Sequence, residues 1–239
     1  MKLILPIVAL VLISSCAEHQ YLTISGANIN KTDAHSFVSE GDTVTVLYHF
    51  RPEQGRLYIR LFNETGEPIV VDWWKSAIIV GGTVFSYYKP TGELSGRVDG
   101  TIAATGPGAG TAVSTNDLNG TVYMNESSQF IPARAEIGKE MVVFRLDTLQ
   151  GLPEKDARKD TIRGSFAECI PYRRMAFAKD QSPLTFRSYL TFRIGKAGQE
   201  KEFSREHEFY VSEVWKIRYT PQELPTTITS RGDMIYLAQ

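Results

Sequence analysis

From residue 42 to residue 50 apolar side chains recur at every second position, with Val44, Val46, Tyr48 and Phe50 on one side and Thr45, Leu47 and His49 on the other. A period of two marks a half-buried strand, because successive side chains leave opposite faces of the pleat. Leu57, Ile59 and Leu61 repeat the pattern. Polar turns at 51–55 and 63–68 separate these runs from each other and from Ile69-Val70-Val71, which reads as consecutive hairpins. Residues 141–146 form another short apolar run, and Phe186, Leu190, Phe192 and Ile194 share a face in the next. Near the end Phe209, Val211, Trp215, Ile217 and Tyr219 are assigned to one face, interrupted by Glu213, with Tyr210, Ser212, Lys216 and Arg218 on the other. Helical spacing is confined to short pieces at 152–158 and 221–224.

Many short strands between Gly, Pro and Asn turns predict an all-β chain, an elaborated antiparallel Ig-like β-sandwich. The charge run at 153–160 marks a sub-boundary near 152–160 and reads more readily as a surface loop of one domain than as a linker. Residues 92–120 hold seven glycines in 29 positions and have little to bury. They predict a protruding Gly-rich hairpin, with 97–104 paired to 119–124 across a Gly-Pro tip, or else an open loop. A phosphate-binding glycine loop is disfavoured, because the stretch lacks both the Gly-x-x-x-x-Gly-Lys-Ser/Thr pattern and a strand-to-helix setting.

The 239 residues are 42% hydrophobic, with 26 Lys plus Arg against 27 Asp plus Glu. Such balance argues against a disordered chain and against a nucleic-acid partner. The N-terminus is different in kind: Met1-Lys2 precedes an apolar run at 3–13, too short to span a bilayer, and then comes Ile13-Ser14-Ser15-Cys16. This tetrapeptide resembles the lipobox of bacterial lipoproteins. The resemblance implies a signal peptide at 1–15, diacylglycerol on the Cys16 sulfur and a lipidated tether at 16–20; the strand pattern and length of the remainder predict a single domain at 21–239. The membrane is then a partner through the anchor. Ala17 follows the cysteine where an acidic residue would indicate inner-membrane retention, so the expected address is the cell envelope at the outer membrane. Cleavage would remove Lys2 alone among charged residues, leaving a formal charge of −2 and no polybasic run. Cys169 is then the one remaining thiol, expected to be a small buried hydrophobe.

Residues 57–79 include Asn63-Glu64-Thr65-Gly66-Glu67-Pro68 and Asp72-Trp73-Trp74-Lys75-Ser76. Together with Phe130-Ile131-Pro132-Ala133-Arg134-Ala135 and Ser182-Pro183-Leu184-Thr185-Phe186-Arg187, this stretch resembles a group of uncharacterised bacterial β-sandwich lipoproteins. The resemblance implies fold and address but no activity. Read on their own, Asn63 and Thr65 have the chemistry to bond nearby backbone while Pro68 restarts an extended chain. The Trp pair predicts one indole inside the sandwich, with Asp72 and Ser76 bonding backbone at a strand bend. Trp73 and Trp74 are also candidate binding residues, because an exposed aromatic face stacks on a sugar ring.

Catalytic patterns are scarce. The chain has neither a Gly-x-Ser-x-Gly elbow nor a His-Glu-x-x-His helix, and its four histidines are scattered. His49 is expected to point outward, and His207 to lie solvated in a charged turn. The pairs Glu206/Glu208 and Asp156/Asp160 lack calcium-loop spacing, so no metal or cofactor is expected. Arg231-Gly232-Asp233 reads as a turn. The triplet Asp-Ser/Thr-aliphatic resembles an O-glycosylation acceptor of some bacterial envelope proteins and marks Thr43, Thr148 and Thr161. Three functions follow as expectations. The first is a non-catalytic envelope binding module for a protein or glycan partner. The alternatives are an accessory role in envelope or surface-appendage assembly and, with less support, a hydrolase of envelope carbohydrate.

Overall fold

The computed structural model describes residues 18–52, 56–88, 96–103, 111–118, 126–142, 149, 152, 154–164, 168–195 and 198–237. Its strands are β1 (His19–Gly26), β2 (Asn30–Lys31), β3 (Phe37–Ser39), β4 (Val44–Arg51), β5 (Arg56–Asn63), β6 (Ile69–Val80), β7 (Thr83–Ser86), β8 (Gly96–Ala103), β9 (Thr111–Leu118), β10 (Ser128–Ile131), β11 (Glu136–Val142), β12 (Arg158–Arg163), β13 (Cys169–Ala176), β14 (Thr185–Ile194), β15 (Lys201–Ile217) and β16 (Met234–Leu237). One helical turn, α1 (Thr226–Thr229), completes the list of labelled elements. The fold is all-β and antiparallel, arranged as a sandwich.

The larger sheet runs β10-β6-β14-β15-β1-β16, with β7 beside β10 on the outer edge of β6 and β13, carrying β12, beside β14 on the same edge of β15. The smaller sheet runs β11-β5-β4-β3-β2. Alternation explains their meeting. Val46, Tyr48, Phe50, Ile59 and Leu61 on the small sheet face Val71, Trp73, Phe186, Phe192, Phe209 and Val211 on the large one. Phe209 sits at the centre, edge-on to Phe37, Tyr48 and Phe50 at 5.2–5.6 Å and stacked on Phe186 at 5.2 Å. Such aromatic pairs contribute about 1 kcal/mol each beyond the area they bury. At the β6–β7 turn Gly81 and Gly82 both have positive φ, the requirement of a two-residue hairpin whose twist matches its strands.

The 17-residue β15 carries the main departure from simple alternation. Its pairing with β1 passes from Glu213 opposite Thr23 to Val211 opposite Ile24, leaving Ser212 as an extra residue. This bulge inverts the phase of everything after it. Phe209, Val211 and Val214 therefore face the space between the sheets, whereas Trp215 and Ile217 join Tyr21, Ile170, Tyr172, Leu224 and Met234 in a second cluster on the opposite face. The expectation of one continuous apolar face from Phe209 to Tyr219 is corrected accordingly.

Two further expectations change. Residues 97–103 do form a hairpin strand, as part of β8, but its partner is β9 and not the 119–124 segment, which lies outside the described residues. Cys169 is exposed, because the pleat of β13 turns its neighbour Ile170 into the second cluster and the thiol outward. The charged stretch 154–163 forms a short turn followed by β12, which pairs with β13.

Side chains tie the loops down where the sequence resemblance is concentrated. Asn63 is buried, its amide nitrogen donates to the carbonyls of Glu67, Ile131 and Pro132, and its oxygen accepts from the backbone and hydroxyl of Thr65. One side chain thus fixes the β5–β6 turn to the β10–β11 connection. Ser182 Oγ meets the carbonyls of Leu184 and Val211 at 2.8 and 2.9 Å, which holds the entry to β14 against β15.

Candidate functional site

The two tryptophans of β6 go opposite ways. Trp73 follows Ile69 and Val71 on the inner face and is 1% exposed. Its indole N–H donates to Gln129 Oε1 at 3.3 Å, and the Lys139 ammonium lies 4.3 Å from its ring. Burial in an apolar environment lowers the Lys139 pKa. Trp73 is therefore withdrawn from the binding surface. Trp74 is 65% exposed on the outer face. The bend beside it is built as expected from side chain to backbone: Asp72 Oδ1 accepts from the Lys75 N–H, and Ser76 Oγ donates to the Asp72 carbonyl while accepting from the Thr191 N–H.

Trp74 belongs to a larger patch. Tyr88 packs beside it with ring centroids 5.2 Å apart and planes tilted by 59°. Phe130, 59% exposed, lies opposite Val70, and Val84 lies opposite Ile79, so both flank Trp74 on the outer face. Val70 and Ile79 lie opposite Arg193 and Arg187 of β14, only six residues apart because β6 bends at 72–76, so the strip is about 20 Å long at the rise of a strand. Ion pairs rim it: Lys75 with Glu202 at 2.5 Å, Arg187 with Glu206 at 2.6 Å and Arg193 with Glu200 at 2.8 Å. An exposed apolar strip with a charged rim is the usual form of a contact surface.

A second constellation is chemically suggestive but sealed. Tyr87 donates to Ser188 Oγ at 2.9 Å, and Tyr48 lies 2.8 Å from the same oxygen and 2.9 Å from His207 Nδ1. The order Tyr87, Ser188, Tyr48, His207 lets each hydroxyl donate once into the next acceptor. Burial pushes the Tyr48 and Tyr87 hydroxyls well up, and burial together with nearby Arg205 pulls His207 down to about 4, opposed by Glu206. His207 is only 3% exposed, so the solvated turn expected for it is corrected. Residues 204–208 are strand, where the glutamates face outward to Arg187 and Lys179 and the imidazole alternates inward.

That depressed pKa sets a pH dependence. Between pH 6.5 and about 4 the unfolded chain takes a proton that the folded His207 refuses, so stability falls as pH falls through that window, by about 3 kcal/mol in all. His49, its pKa lowered by burial and by Arg51, acts in the same direction. Denaturant unfolding of wild type and His207→Gln at pH 7 and pH 5 isolates the His207 share, and equal slopes in the two proteins would refute it.

The Arg231-Gly232-Asp233 tripeptide is an internal clamp. Arg231 Nε and Nη2 donate to the two Asp233 oxygens at 2.9 and 2.8 Å, Lys31 pairs with the same carboxylate, and Asp233 is fully buried. Burial raises the carboxyl, but these cations outweigh it and hold the pKa below the usual range. Gly232 is packed so closely that a Cβ would stand 2.5 Å from Ser36 Oγ and from His49 Nδ1. His49 does lie on the outward side of β4, yet it is half-buried there and bonded to Ser36 at 2.9 Å.

Of the marked threonines, Thr43 is half-buried just before β4, Thr161 is exposed on β12, and Thr148 lies outside the described residues, as does Cys16. Among the described residues no three His, Cys, Asp or Glu side chains come together as a metal centre, and no helix is long and apolar enough to cross a membrane. Phe130, Val84 and Tyr88 are not legible in the sequence as one surface, because β10, β7 and the residues after β7 meet only along the edge of β6. No family model, no curated protein and no solved structure matches this chain.

Proposed function

We propose that this chain is a lipid-anchored envelope lipoprotein, held at the outer membrane through Cys16, and a non-catalytic binding module for a protein partner. The observation that carries the reading is the strip formed by Trp74, Tyr88, Phe130 and Val84 on the outer face of the large sheet. Its tilted ring pair offers an uneven apolar relief, which suits interdigitating side chains better than the flat stacking that a sugar ring requires. The residues closest in type to a catalytic set, Ser188, His207 and Tyr48, lie within the core, where substrate has no access.

Cross-linking in membranes followed by mass spectrometry tests the reading. Wild type is expected to carry acyl mass on Cys16 and to recover a stoichiometric protein neighbour. Cys16→Ser should lose the acyl mass, and Trp74→Ala should weaken the partner about thirtyfold, the loss typical of a central aromatic at an interface. Capture unaffected by Trp74→Ala would dismiss the strip, and binding to a glycan array that depends on Trp74 would replace the protein partner with a carbohydrate.

A further inference from the structure

At the far end of the large sheet, near the start of β1, three cations stand in a row across three strands. Lys159 of β12 lies opposite Arg173 of β13, and Arg173 lies opposite Lys216 of β15. Arg218 stands one residue past the end of β15 and lines the same cavity. Like charges placed directly opposite each other destabilise a sheet unless an anion lies among them. All four line a cavity of about 420 Å³, in which Glu18 is the single carboxylate and forms an ion pair with Arg173. Four cations around one cavity are a strong concentration in a chain whose formal net charge is −1. Their positions at 159, 173, 216 and 218 explain why no basic run is visible in the sequence.

We infer that this cavity binds the phosphate of an anionic membrane lipid headgroup beside the acylated cysteine. The inference rests on the lipid-anchor reading above for its location. Glu18 is two residues from Cys16, and two residues span at most about 7 Å, so an acyl chain on Cys16 holds the mouth of the cavity at headgroup depth. The guanidinium of Arg173 and its neighbours supply the charge-assisted donors that a phosphate accepts. Tyr219, 37% exposed, also lines the cavity, and its amphipathic ring suits the boundary between headgroups and water. Four basic side chains are the smallest cluster that typically holds an anionic lipid surface. A lipid phosphate would take the place of the Glu18 carboxylate at Arg173, so that Arg173 stays paired.

The test uses the mature chain carrying Cys16→Ser, so that no acyl group contributes, with vesicles of phosphatidylcholine containing phosphatidylglycerol and vesicles of phosphatidylcholine alone. Co-sedimentation with the anionic vesicles only is expected, and Lys159→Gln combined with Arg218→Gln should weaken it about thirtyfold, at the usual contribution of each cation near such a surface. A control that removes two positive charges from the small-sheet side, Arg60→Gln with Arg134→Gln, should retain most of the binding. Equal loss in the control would reduce the effect to net charge and overturn the pocket, as would absence of binding to the anionic vesicles. Inorganic phosphate that competes fully at millimolar concentration would assign the cavity to the free ion and overturn the lipid. Thermal melting of each variant without vesicles separates lost binding from lost folding, and the Lys159→Gln, Arg218→Gln pair should melt no lower than wild type. Because the unacylated chain is used, failure here removes the pocket alone, whereas absence of acyl mass on wild-type Cys16 removes the anchor alone.

Discussion

Trp73→Ala is expected to cost about 4 kcal/mol of stability, while Trp74→Ala next to it costs less than about 0.5 kcal/mol. The contrast follows from the pleat. Trp73 fills the space between the sheets, edge-on to Tyr87 at 6.4 Å and beneath the Lys139 ammonium, and the surrounding strands cannot collapse into the volume an alanine would leave. The substitution also leaves the Gln129 amide oxygen without the indole donor. Trp74 has water on most of its surface already. Chemical denaturation of the two variants measures the difference, and a cost below about 1 kcal/mol for Trp73→Ala would mean that β6 is packed otherwise than described.

Asp233→Ala is expected to destabilise the fold by about 3 kcal/mol, lowering the melting temperature by roughly 6–12 °C. The carboxylate is fully buried and takes both fork bonds of Arg231 as well as the Lys31 ammonium, so its removal strands two cations that folding has partly dehydrated. The backbone around it is a junction as well: the Ile24 N–H donates to the Asp233 carbonyl and the Phe50 N–H to that of Gly232, which ties β1 and β4 to the same turn. Scanning calorimetry of Asp233→Ala and Asp233→Asn checks this. A shift under about 2 °C for the alanine variant would show that the clamp contributes little. With Asp233 inside, the tripeptide has no carboxylate to present to a receptor.

The alternation at 44–50 and 57–61 made β4 and β5 legible residue by residue, because each has one dry and one wet face. The same logic extended along Ile69, Val71 and Trp73 places the first indole inward. Legibility fails where the period changes. The bulge at Ser212 is marked in the sequence only by Glu213 interrupting an apolar series, and its effect, the transfer of Trp215 and Ile217 to a second cluster, depends on the pairing with β1. His207 is hidden for the opposite reason: charges on both sides suggest a turn, yet in a strand they face the other way and leave the imidazole to Tyr48. Cys169 misleads because residue type favours burial while the pleat gives the inward position to Ile170. The aromatic strip and the cationic cavity are both sums over strands distant in sequence, and no local pattern announces either.

The position of β1 has a consequence for biogenesis. β1 is flanked by β15 and β16, with His19 bonded to the Tyr236 hydroxyl at 3.0 Å and Gln20 opposite Leu237. Until residues 201–237 have been made, both edges of β1 are open, and open edges recruit foreign strands. β1 must therefore wait unpaired while the residues between it and β15 are made, and the large sheet closes around it late in a slow, non-local folding reaction.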